Sequence, residues 1–161
     1  MAPDPAAVRA AVAAVCDPEY PDLTIEELGM LEAVAVAGAD VEVALTPTVF
    51  GCPALAMIER DVRAAAEAVP GVGRVRVTLL DEPRWSPDRI APAARAVLAA
   101  QYTISIRGAD GSVICPVCGS REVAERSAYG PTRCRSIAYC AACSNPVEVI
   151  RLTEAGERAQ P

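Results

Sequence analysis

Two Cys-x-x-Cys pairs near the end of the chain restrict what it can fold into more than any other feature. They read CPVC at Cys115–Cys118 and CAAC at Cys140–Cys143, with 21 residues, Gly119–Tyr139, between them. Each pair has the spacing of a tight knuckle that turns two thiolates toward one metal. Two such knuckles close a tetrahedral shell with bonds of about 2.3 Å. The chain has no histidine, so any soft-metal site must be built from thiolates. A structural zinc on Cys115, Cys118, Cys140 and Cys143 is therefore expected, with an iron–sulfur cluster on the same thiolates as the rival occupant. A thioredoxin-like redox pair fits less well, because such pairs open a helix in a βαβ context and two copies would be redundant. The segment between the pairs is slightly longer than usual for such sites, which fits a strand hairpin. A piece of about 40 residues with so few large side chains needs the metal to fold. Cys134, between the pairs, reads equally as a packed side chain or as a functional thiol.

The same composition excludes several functions. Without histidine there is no Ser-His-Asp or Cys-His catalysis, and no phosphate-binding glycine pattern or paired-carboxylate site stands out. The chain is read as an accessory protein rather than an independent enzyme. Its net charge is −6, and residues 1–108 hold 15 acids against 9 arginines. Between Cys115 and Arg151, five arginines face three acids, and a four-thiolate zinc site adds about −2. Neither half makes a nucleic-acid or anionic-membrane surface. The N-terminus has acids early and no basic segment before an apolar run, and no run reaches the ~18 residues of a membrane span. The expectation is a cytoplasmic protein whose cysteines are ligands or reactive thiols, not disulfides.

Along the chain, Asp4 and Pro5 open a helix over 4–15, which the prolines at 18 and 21 terminate. Cys16, at the end of that apolar helix, is expected in the core. Thr24 and Glu27 form a capping box around one helical turn. Two alternating apolar runs flank Gly38-Ala39-Asp40 as a hairpin. Leu55, Ile58, Val62, Ala66 and Val69 recur at helical spacing over 53–69. VGRVRVTLL alternates as a third strand, and a second long helix runs from Ser86-Pro87 to Gln101. The fold class is α+β: helices on a short mixed or antiparallel sheet over 1–108, a β-rich four-cysteine ribbon over 109–153, and a frayed tail over 154–161.

Two features remain. Cys52 lies between a glycine and a proline at the mouth of the 53–69 helix, as its N-cap or nearly so, where unpaired N–H groups and the helix dipole favour a thiolate. The alternative is a small buried hydrophobe. Asp17–Glu27 packs five acids into eleven residues. That is either a solvated, capped turn or a place where Asp17 or Glu19 faces the Cys52 loop.

The segments DPEYPDLTIEELGM, LTPTVFGCPA and VRVTLLDEPRWSPD together resemble the MIP18 (DUF59) family of iron–sulfur assembly proteins. The tail CPVCGS…SAYGPTRCRSIAYCAACSNPVE resembles the C-terminal zinc ribbon of PaaD-type proteins (also named PaaJ) of bacterial phenylacetate degradation. The likeness covers nearly the whole chain. It places the family's acidic turn on Asp17, Pro18 and Glu19. Its reactive cysteine falls on Cys52, preceded by Thr46 and Thr48, and its ribbon ligands on Cys115, Cys118, Cys140 and Cys143. A ribbon segment typical of the family falls on Ser127, Tyr129, Gly130, Thr132, Cys134 and Arg135, with Tyr for Phe and Arg for Lys. Val147 stands where an aromatic is common.

The resemblance implies a role with the multicomponent monooxygenase that epoxidises phenylacetyl-CoA. The chain would assist iron–sulfur cluster assembly or delivery to the reductase component through the Cys52 thiol. Cys134 is a second candidate thiol, and the zinc ribbon docks the client. One cysteine is a poor cage for a transient cluster, so Cys52 is expected to be shared with a partner or across a homodimer. A coupling subunit of the monooxygenase carrying no cluster is the alternative, and a thiol reductase or isomerase using Cys52 and Cys134 is a third.

Overall fold

The computed structural model describes residues 2–108 and 110–151. The chain divides into two compact units. One is formed by the residues up to Pro47 with Pro53–Trp85, the other by Thr48–Cys52 with Ser86 onward.

In the first unit, helix α1 (Pro5–Ala13) starts as the sequence predicts. The Asp4 carboxylate accepts from the Ala6 N–H at 3.0 Å, and Pro5 takes the first turn. After the C-cap at Ala14 the chain becomes strand-like and bridges Cys16 to Thr24. Alternation then turns Val15 and Asp17 inward and Cys16 outward. Cys16 is therefore exposed, not part of the core. The capping box forms: Glu27 accepts from the Thr24 N–H at 2.9 Å, and the Glu27 N–H donates to the Thr24 hydroxyl at 3.1 Å.

Strands β1 (Leu31–Ala37) and β2 (Asp40–Leu45) make the hairpin, paired from Ala37↔Asp40 outward. Helix α2 (Ala54–Glu67) then crosses over, so β3 (Val75–Leu79) lies parallel to β2. The sheet order is β1-β2-β3, and it is mixed. Val41, Val43 and Leu45 on one face of β2 pack into a core with Val8 and Val12 of α1 and Leu55, Ile58, Val62 and Ala66 of α2. Trp85 closes it, its indole N–H donating to the Leu28 carbonyl at 2.8 Å.

In the second unit, the expected single helix over 86–101 is broken. A short 3₁₀ turn (Pro87–Arg89) is followed by extended residues Ile90 and Ala91, and helix α3 (Pro92–Gln101) begins only afterwards. Pro92 has no N–H to continue the earlier turn and forces the preceding residue out of helical space. Arg95 holds the break, donating to the Pro87 carbonyl at 2.6 Å and the Ile90 carbonyl at 3.1 Å.

Strand β4 (Ile104–Ile106) pairs parallel with β7 (Pro146–Ile150), which pairs antiparallel with β6 (Arg135–Cys140), which in turn pairs with β5 (Val123–Ser127). The first domain was expected to run to residue 108, yet α3 and β4 fall in the unit that contains the ribbon. Val113, Cys115, Ala138, Cys140, Val147 and Val149 form its buried cluster, with Val123 and Cys143 packed against them. The part of the chain expected to fray, 154–161, lies outside the described residues. Among the described residues no helix is long and apolar enough to cross a membrane.

Candidate metal centre and the Cys52 loop

The two knuckles are built alike. In the first, the Cys115 N–H donates to the Ser120 carbonyl and the Gly119 N–H to the Cys115 carbonyl, both at 2.9 Å. In the second, the Cys140 N–H donates to the Asn145 carbonyl and the Ser144 N–H to the Cys140 carbonyl, again at 2.9 Å. The residue after each second cysteine is left-handed: Gly119 at φ 74° and Ser144 at φ 59°. That left-handed turn is what sends the chain back past its own start. Glycine adopts it freely, whereas serine there carries strain.

The geometry brings four sulfurs together. Cys115 and Cys143 Sγ atoms lie 3.7 Å apart, Cys118 and Cys140 Sγ atoms 3.6 Å apart, and all four lie within 4.8 Å of one another. A tetrahedron with metal–sulfur bonds of about 2.3 Å has edges of about 3.8 Å. The donor set and its spacing therefore fit one soft, four-coordinate metal ion, and this is a metal site. β6 delivers Cys140 from its C-terminal end, and the sheet's buried cluster holds Cys115 and Cys140 from below.

The surroundings poise these thiols differently when they are free of metal. Cys143 is pulled down to about 6, first by the Asn145 side-chain amide, whose Nδ2 lies 3.4 Å from Sγ, and further by the Asn145 backbone and the neighbouring thiols. At Cys118 the Ser120 backbone works downward, but desolvation and hydrogen bonds to Cys143, Cys140 and Cys115 outweigh it, pushing the thiol up to about 12. Asn145 also donates to the Cys143 carbonyl at 3.1 Å, so one amide fixes both the backbone and the sulfur. Sequence reading stopped at the four cysteines and missed Asn145. The repeat of CPVCGS as CAACSN, with the sixth position of each knuckle facing its start, was the signal.

The other proposed site residues fall as follows. Cys52 is half-buried and stands one residue ahead of the α2 N-cap, which is Pro53. Gly51 before it has φ 76°. The thiol is thus near the helix mouth without being its cap. Thr48 belongs with Cys52 to the second unit, whereas Thr46, Asp17 and Glu19 belong to the first. Thr46 is buried, its hydroxyl 3.3 Å from Glu32 and its N–H on the Met30 carbonyl at 2.7 Å. Asp17 is buried too, its Oδ1 accepting from the Glu19 N–H at 2.7 Å and the Tyr20 N–H at 3.3 Å. That carboxylate organises its own turn. Cys134 is buried, with its sulfur 3.1 Å from the Thr132 hydroxyl.

Comparison with known proteins separates the same halves. Residues 5–79 match the model of an iron–sulfur cluster assembly protein family, and residues 99–151 match the PaaD zinc beta ribbon domain. The chain is 32% identical over 151 residues to an Escherichia coli (strain K12) protein named as one of the subunits of a "Putative 1,2-phenylacetyl-CoA epoxidase", covering 89% of this chain and 90% of that one. It is 42% identical over 82 residues to a Porphyromonas gingivalis (strain ATCC BAA-308 / W83) protein named Fe-S protein maturation auxiliary factor, covering 50% of this chain and 76% of that one. A DUF59 domain of unknown function from Bacillus anthracis superposes with a TM-score of 0.54 at 29% identity, over 60% of this chain and 92% of its own. A conserved hypothetical protein of Thermotoga maritima does so with a TM-score of 0.50 at 30% identity, over 58% and 91%. With the two halves matched in order and one relative aligned across almost its full length, the chain belongs to the family of DUF59 (MIP18) iron–sulfur assembly proteins that carry a C-terminal PaaD zinc ribbon.

Proposed function

We propose that this protein is an accessory factor of a phenylacetyl-CoA epoxidase. It assists assembly of an iron–sulfur cluster, or delivery of one to the reductase component, through the thiol of Cys52. The observation that carries this reading is the joining of two likenesses in one chain. Nearly all of it resembles a protein named as a subunit of that epoxidase, while its first half resembles an iron–sulfur maturation factor.

The ribbon metal is zinc in this reading. Sulfur pairs at 3.6 and 3.7 Å suit one ion bound by all four; a cubane cluster, with one thiolate on each of four irons, holds its cysteines farther apart. Zinc also has no redox chemistry of its own, which suits a centre that only holds the fold. The iron–sulfur cluster is cargo, and Cys52 supplies one ligand of the four it needs. The remaining ligands come from the acceptor or from a second copy of the chain, with Cys134 too buried to serve without movement.

The test is metal and acid-labile sulfide content of protein purified without oxygen, wild type beside Cys52→Ser. One zinc per chain in both, with iron and sulfide only in the wild type, is the expected result. Zinc alone in both removes the cargo. The relative's designation as a subunit would then favour a coupling protein that carries no cluster and co-purifies with the oxygenase in fixed stoichiometry.

A further inference from the structure

The end of the ribbon sheet remote from the metal is built as a surface of its own. β5 runs away from the first knuckle and β6 returns to the second, so residues 128–134 join them at the far end. Arg151 reaches the same end, because Arg135 of β6 pairs with Ile150 of β7. From Arg126 to Val147 the sequence has three arginines and no acid. The acids on either side are engaged, Glu125 with Arg107 and Glu148 with Arg135, each at 2.7 Å. In a chain of net charge −6, this end is locally cationic.

Its centre is Tyr129, 65% exposed, with the Arg151 guanidinium 4.7 Å from the ring centroid. The loop that presents the ring is tightly held. The Tyr129 N–H donates to the Ser127 hydroxyl, which donates back to the Tyr129 carbonyl. The Gly130 N–H donates to the Arg135 carbonyl at 2.8 Å. A Cβ at Gly130 would lie 3.1 Å from that oxygen, tighter than an ordinary contact, so glycine suits the close approach. None of these contacts serves the metal. An exposed aromatic ring on an ordered loop, flanked by arginines, has the composition of a binding hot spot and little ordering entropy left to lose.

We infer that this end of the ribbon docks an acidic protein surface, with Tyr129 as anchor, Arg151 over its ring, Arg133 on the same loop, and Arg126 on the adjoining strand, where its guanidinium lies 5.8 Å from the Tyr139 ring centroid. Resting on the function proposed above, the partner is an acidic patch on a component of the epoxidase. A nucleic acid would need a longer basic stripe than three or four arginines in an acidic chain provide.

The experiment measures association of the full chain, zinc-loaded, with the purified oxygenase and reductase components. The wild type is compared with Arg126→Glu/Arg133→Glu, Tyr129→Ala and Tyr129→Phe. Binding to one component is expected, weakening steeply with salt as the screening length falls below ~10 Å. Charge reversal and Tyr129→Ala should each weaken it ~10-fold or more with zinc content intact, and Tyr129→Phe should retain most of it. If charge reversal releases zinc, the neutral pair Arg126→Gln/Arg133→Gln replaces it. Association that ignores salt and these substitutions overturns the docking surface alone. A wild type that binds neither component overturns the proposed function, and the docking surface with it.

Discussion

Asn145 is where residue-scale chemistry is most concentrated. Its side chain donates to the Cys143 carbonyl and sulfur together, so Asn145→Ala removes a partner that orients and acidifies a ligand. Loss of such supporting hydrogen bonds typically weakens metal affinity ~10- to 100-fold. Competition against a chelator is expected to show that loss for zinc with the far-UV spectrum unchanged. Proton competition follows from the same thiols. Metal binding displaces the Cys118 proton at any pH below about 12, but a proton from Cys143 only as pH falls below about 6. Apparent zinc affinity should therefore rise with pH and fall more steeply below pH 6, which a zinc titration from pH 5 to 8 checks. In Asn145→Ala the Cys143 pKa moves upward, and the steep region should move up with it.

At the scale of elements, local signals were legible wherever a short motif decides the structure. Asp4-Pro5 placed the start of α1, the Thr24–Glu27 box placed its turn, and alternation placed the β1–β2 hairpin. Each is a matter of neighbours within a few residues. The box leads directly into β1, so Thr24→Ala removes two side-chain hydrogen bonds there. A loss of about 1 kcal/mol in urea unfolding is expected. The break ahead of α3 was equally local, since Pro92 carries its own stop signal; apolar spacing through 94–98 obscured it. Cys16 was misplaced because helical spacing was extended past Ala14, where the chain had already changed period from 3.6 to 2. The pairing of β4 with β7 left no local sign. Three residues, Ile104–Ile106, join a strand some forty residues away, and no periodicity reports that.

For the whole molecule, the convergence of four cysteine sulfurs on one point was readable because their spacing is itself the signal, whereas what surrounds them had to be seen. The second unit owes its sheet to α3 and β4 as much as to the knuckles: Leu98 and Ile104 are buried, and β4 covers the edge of β7. A fragment of residues 86–151 is therefore expected to fold with zinc and melt cooperatively. A fragment beginning at residue 110 keeps all four cysteines but lacks β4. It should bind zinc more weakly and melt lower, as calorimetry with and without chelator would measure. Equal stability of the two fragments would show β4 to be dispensable.

The β4–β7 ladder also orders events in time. During synthesis Ile106 emerges 44 residues before its partner Ile150, which at ~5–20 residues per second is a wait of about 2–9 s. Through that interval the apolar strand after α3 has no edge to join, and the metal cannot be enclosed, because Cys140 and Cys143 are not yet made. The first sheet, β1-β2-β3, is complete by Leu79 and meets no such delay. A ribosome that stalls before Cys140 thus holds a chain with one completed sheet and, beyond it, an unpaired apolar strand and only half of the four-cysteine set.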